Sequence, residues 1–396
     1  MDLFTNIKQE RPLVKHQGIF KPTATVTEAV FLITGMTIGA GILGLPYVIA
    51  QVGVAIGVAE IIFLGAIILF LNRMIGAAVA RTGEPMQLPG LAGTYLGPVA
   101  KVVMSGTILF GMYGALLAYM VGEGNTLFAL FGGSPIGWSI IFWSVGSLII
   151  WRGMATVKFF EKIIGSAVLV IIGIIILVAF PHIQIANISY SHFGKFFVPF
   201  GVILFALHAS PAIAEAHALL RGDVAKFRRA VTIGTLIPIV TYILFAVAVV
   251  GVTGRSTALI ATLGLSSSFG SFVGLLGNIF AALAMGTGFV GLGTAFRDTL
   301  RWDYKIPAIV AAILVSCVPL ALLLAGFTNF ISILSVVGGL FIGIEAVLVC
   351  LIYAKVRHKN LVSAQSMGIT HPFVAELSVL LVFTGITVFS ILKLFY

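Results

Sequence analysis

The chain has 396 residues, 60% of them hydrophobic and only 9% charged, with a mean hydropathy of +1.15. So few charges cannot cover that much apolar surface in water, which excludes a soluble domain and makes lipid the expected solvent. A net charge of +10 would point to nucleic acid in a soluble protein, but here its distribution along the chain matters more than its sum, and no nucleic-acid partner is expected.

Residues 1–26 are polar, with neither an apolar run nor a small-residue cleavage site, which predicts a cytoplasmic tail rather than a signal peptide. A membrane crossing needs about 20 mostly apolar residues. Eleven stretches meet that need: 27–51, 54–79, 99–131, 136–151, 158–180, 194–219, 229–253, 270–296, 306–326, 328–354 and 372–395. An all-α polytopic membrane protein of about 11 transmembrane helices follows. With the N-terminus inside, 20 of the 23 Lys and Arg residues fall on the cytoplasmic side, and only Lys195, Arg255 and Lys393 fall outside. That asymmetry is the positive-inside signature of a multi-pass protein of the plasma (inner) membrane. The Gly- and Pro-rich stretch 82–98 reads as a partly ordered loop, and Lys158 and Lys162, flanking Glu161, read as interfacial lysines whose stems lie along apolar surface. Cys317 and Cys350 lie in apolar runs, where a thiol behaves as a small hydrophobe.

Two of the eleven stretches carry breaks. The first holds Gly35, Gly39, Gly41 and Gly44 with Pro46 just beyond; each glycine costs a helix about 1 kcal/mol against alanine, and proline removes a backbone donor. The sixth is interrupted by His208, Ser210 and Pro211 at a similar depth. Unwound backbone is tolerated in a membrane only where it lines a cavity, and broken helices in equivalent positions of two halves mark transporters built from inverted repeats. The expected organisation is a tail (1–26), a first five-helix repeat (27–180), a second, inverted one (181–354), and a cytoplasmic loop with an eleventh helix (355–396). Free N–H groups of one half-helix suit a carboxylate and freed carbonyls suit a cation, so a zwitterion with a coupling ion fits both.

Four stretches, GMTIGAGILGLP (35–46), AYMVGEGN (118–125), FALHASPAI with RGDVAKFRR (205–213, 221–229) and GTGFVGLGTAFRD (286–298), resemble the amino acid/auxin permease superfamily, most closely its bacterial aromatic and hydroxy amino acid permease branch. The resemblance implies a LeuT-like 5+5 inverted-repeat fold with broken helices 1 and 6, and uptake of amino acids driven by a proton or sodium gradient. It implies that Thr37, Gly39, Ala40, Gly41 and Ile42 offer substrate-binding backbone, that Tyr119 and Gly122 face the same cavity, and that Phe205, Ala206, His208 and Ser210 form the opposite wall. Ile38 and Thr287 would attend the coupling ion, Thr287 also the substrate. The sodium-dependent branch tends to carry Asn where this chain has Gly35, which favours protons over sodium.

Carboxylates within membrane helices are costly when ionised, so Glu60, Glu123 and Glu345 are proton-relay candidates, joined by His208, whose side chain titrates nearest neutrality. No Walker A or HExxH motif occurs, so neither an ATP engine nor a metalloprotease-like enzyme is expected. The expectation is a monomeric, cofactor-free symporter of neutral, aromatic or branched amino acids in a lipid bilayer. A sodium-coupled symporter is the alternative, and a sensing receptor or channel on the same fold is the rival of a different class.

Overall fold

The computed structural model describes residues 25–82, 86–152, 157–220, 222–264, 270–302, 304–358 and 367–395. The tail before Thr25, Arg221 of the basic run, residues 83–85 and the side chains of Lys158, Glu161 and Lys162 lie outside the described set. Among the described residues all regular structure is helical.

The first predicted crossing is two helices, α1 (Val26–Thr37) and α2 (Gly41–Val52), meeting at a 58° bend. Then come α3 (Val54–Thr82), α4 (Leu88–Leu96), α5 (Pro98–Phe131), α6 (Pro135–Arg152), α7 (Val157–Ala179) and the one-turn α8 (Ile185–Ile188). The sixth predicted crossing is α9 (Phe200–Leu207) and α10 (Ser210–Leu219), followed by α11 (Val224–Thr253), α12 (Ser271–Trp302) and α13 (Ala308–Leu324). The tenth is α14 (Phe330–Val336), a π-helical segment (Val337–Phe341) and α15 (Ile342–His358), and the last is α16 (Pro372–Phe395). Among the described residues, seven helices are long and apolar enough to cross a bilayer; the bent α1–α2 pair makes an eighth, and two shorter apolar helices, Ala167–His182 and Ala308–Leu324, accompany them. A multi-pass membrane protein is thus shown.

The stretch 82–98 needs correcting: its second half is helix α4, which buries Leu88, Leu91 and Ala92. Pro89 sits in the first turn of this helix, where its missing N–H costs nothing.

Lipid tails give no hydrophobic drive for helix association, so close packing of small residues holds such a bundle together. Helices α5 and α12 run antiparallel: Gly122 abuts Met285, and Gly293 abuts Leu116, while the Tyr113 and Phe296 rings meet edge-on at 4.8 Å. Polar ties cross the remaining seams. Asn72 donates to Thr235 at 3.0 Å between α3 and α11. Arg357 binds Glu376 through two bonds of 2.7 and 2.9 Å between α15 and α16. Arg297 donates to the Ile150 and Trp151 carbonyls at the end of α6 and to Asp298 at 3.0 Å. At the start of α11, Asp223 accepts from the Lys226 N–H at 2.9 Å, which holds its carboxyl below the ordinary range.

Candidate functional site

The break in the first crossing covers Ile38 to Ala40, not Gly39 to Gly44: α2 already begins at Gly41 and keeps Pro46 inside it. The Thr37 hydroxyl bonds back to the Ile33 carbonyl at 2.6 Å, and Ile38 turns extended, at φ −83° and ψ 93°. Among the described residues no side chain caps α2; the Ile42 and Leu43 N–H groups turn back to the Gly39 and Ala40 carbonyls at 3.4 and 3.0 Å, and the helix dipole at this end favours negative charge. The far end of α2 is sealed instead, since the Tyr190 hydroxyl donates to the Ala50 carbonyl at 2.6 Å and the His192 N–H to the Val52 carbonyl at 2.8 Å.

The second break is shorter. His208 is extended (φ −70°, ψ 123°) and Ala209 leads into α10, while Phe200–Leu219 still reads as one crossing. Pro211 lies in the first turn of α10, so it starts that half-helix rather than breaking one.

Both breaks open on one cavity of about 110 Å³, walled by α1, α2, α5, the α9–α10 break and the π-helical segment with α15. Its apolar lining includes Met36, Met112, Phe205, Val337 and Phe341. That volume is below the roughly 300–1,000 Å³ of sites enclosing drug-sized ligands, so a large side chain needs Phe205 or Phe341 to turn aside. The π-helical turn slips the register of the tenth crossing, a device common at functional sites, and Phe341, Ile342 and Glu345 all reach the cavity. There His208 Nε2 lies 3.0 Å from Glu345 Oε1, with the carboxylate side chain 4% and the imidazole 23% exposed. One proton lies between them, held by imidazole or by carboxyl.

The structure therefore brings Thr37, Gly39, Gly41, Tyr119, Phe205, His208 and Glu345 together at the cavity. Other sequence candidates lie off its wall. Ile38, Ala40 and Ile42 are buried core residues. Gly122 faces Met285 and Phe330 instead. The Thr287 hydroxyl donates to the Leu283 carbonyl at 2.7 Å on its own helix. Ser210 is buried at the head of α10 with its hydroxyl unpartnered, and Ala206 packs behind Gly41. Glu123 is buried one turn beyond Tyr119, away from the lining, and Glu60 is buried on α3 with neither carboxyl oxygen hydrogen bonded.

Sequence reasoning missed Tyr242. From α11 its hydroxyl lies 2.8 Å from the Thr37 carbonyl and 3.0 Å from the Ala206 carbonyl, one from each interrupted crossing. A lone tyrosine in an apolar helix gives no sequence signal beyond its unspent hydroxyl.

An apolar helical bundle whose interrupted crossings enclose a cavity with one ionisable pair is the build of a membrane permease. The chain belongs to the tryptophan/tyrosine permease family, whose model matches residues 23–391. It is 26% identical over 287 residues to tyrosine-specific transport system 2 of Haemophilus influenzae, covering 66% of this chain and 69% of that protein. Tyrosine-specific transport system 1 of the same organism is 24% identical over 362 residues, 83% of this chain and 88% of that protein. Glutamine transporter 2 of Aliivibrio fischeri is 21% identical over 324 residues, 78% and 83% of the two chains.

Proposed function

We propose that this protein is a secondary active transporter that imports neutral amino acids, aromatic ones among them, by alternating access and in symport with protons. Residues 27–180 and 181–354 form the two inverted repeats of a LeuT-like 5+5 arrangement within the amino acid/auxin permease superfamily. The α1–α2 and α9–α10 interruptions are their matching broken helices, α16 is an addition, and the N-terminus is cytoplasmic. The positive end of the α2 dipole, at Gly41, receives the substrate carboxylate. The relatives are named for tyrosine and glutamine, both neutral, which supports a neutral substrate here.

The observation that carries this reading is the His208–Glu345 pair, which joins the second break to α15 inside the cavity. An imidazole and a carboxyl joined by one hydrogen bond inside the cavity are groups between which a proton can pass. Thr287, the hydroxyl expected to attend sodium, is not among the residues lining the cavity, which favours protons.

A thermal-shift panel of the twenty amino acids, at two pH values and with or without sodium, tests the reading, because only a ligand of the folded state stabilises it by mass action. Aromatic and other neutral amino acids should raise the melting temperature without sodium, by an amount that changes with pH. Stabilisation by none of the twenty, or only when sodium is present, would contradict it.

A further inference from the structure

We infer that Tyr242 is a positioning residue whose single phenolic proton, shared between the Thr37 and Ala206 carbonyls, sets the spacing of the two half-helices around the substrate. The inference rests on the transport reading above. Tyr242 is fully buried. Both carbonyls belong to the last turn of a helix that ends at a break, and neither receives a backbone N–H from across it. The 2.8 and 3.0 Å separations therefore join two main-chain ends that, among the described residues, no backbone N–H pairs from across the break. Thr37 lines the cavity, and Ala206 backs Gly41, which lines it too. Spacing these ends fixes the edge of the binding surface.

Without the hydroxyl, two buried carbonyls lose their donor, and each must shift to find another. The proton is one and the acceptors are two, so the tie is also soft. It can rest on either carbonyl as α1 and α9 shift relative to one another during the cycle.

Tyr242→Phe keeps the ring and removes only the donor. In reconstituted vesicles, uptake by this variant should show KM raised about tenfold, the equivalent of one net hydrogen bond, with kcat within about threefold of the unmodified protein. Placing 4-aminophenylalanine at position 242 returns N–H donors to the same ring position and should bring KM back to within about threefold. Tyr353→Phe is the control: Tyr353 is a buried tyrosine on α15 whose hydroxyl has no partner, and its KM should not move. If the unmodified protein shows no saturable amino acid uptake, the transport reading falls and this inference with it. If it transports but Tyr242→Phe leaves KM within twofold, or 4-aminophenylalanine fails to restore it, Tyr242 is only a packing residue.

Discussion

Gly41 packs directly against Ala206 of the other interrupted crossing, and adding one carbon there tests how rigid the site must be. A β-carbon at Gly41 would lie 2.5 Å from Ala206 Cα and 2.7 Å from Ala206 Cβ, whereas ordinary contact is 3.4–4 Å. Neither atom can swing away, so α2 and α9 would have to separate by roughly 1 Å, and overpacking of this kind costs about 1–3 kcal/mol. A displacement of about 1 Å at a reacting or binding centre can cost about a hundredfold in rate. Gly41→Ala should therefore cut uptake by about tenfold to a hundredfold in proteoliposomes and lower the melting temperature in detergent. Gly41→Val, with two more carbons to house, should abolish uptake. Transport by the valine variant at the unmodified rate would remove both the close approach and the cavity from the account.

Three further outcomes follow from other contacts. Glu345→Gln leaves His208 hydrogen bonded but unable to pass its proton to a carboxylate; counterflow of labelled substrate should persist while accumulation driven by a pH gradient is lost, and retention of both would acquit the pair. Arg297→Ala removes the nearer partner of the buried Asp298 carboxylate, leaving it only Arg301 at 3.6 Å, and takes the donor from the carbonyls ending α6; losing hydrogen bonds to buried charged and carbonyl groups costs about 1–3 kcal/mol, so the melting temperature should fall below that of an exposed-site control such as Lys226→Ala. His208 is the cavity's basic side chain and is engaged by Glu345, so glutamate should compete poorly for uptake, and robust glutamate transport would contradict the site's polarity.

Much of this arrangement was legible from residue types. The cluster of Gly35, Gly39, Gly41 and Gly44 marked the first break because helices break where glycine removes the cost of leaving them. The break is shorter than the cluster. Gly41 and Gly44 serve close approach of neighbouring helices instead, and Pro46 is tolerated one turn into α2, where it forfeits a single bond to the Ile42 carbonyl. His208 and Glu345 each stood out as ionisable residues in apolar surroundings. Their pairing did not, since 137 positions separate them and the π-helical turn that brings Glu345 round leaves only Gly338 and Gly339 as a trace. In 82–98, glycine and proline suggested a loop, but Pro89 starts a helix and Gly97 ends it at φ +99°, the roles these residues play at opposite helix ends. Thr287 could not be placed from its neighbours, because whether a helical threonine bonds to its own backbone depends on a rotamer.

The most direct test is uptake of labelled tyrosine into proteoliposomes bearing an inward proton gradient in sodium-free buffer. The account predicts accumulation above the external concentration that collapses with a protonophore and is absent in Glu345→Gln. Accumulation that ignores the proton gradient and appears only with sodium would contradict it.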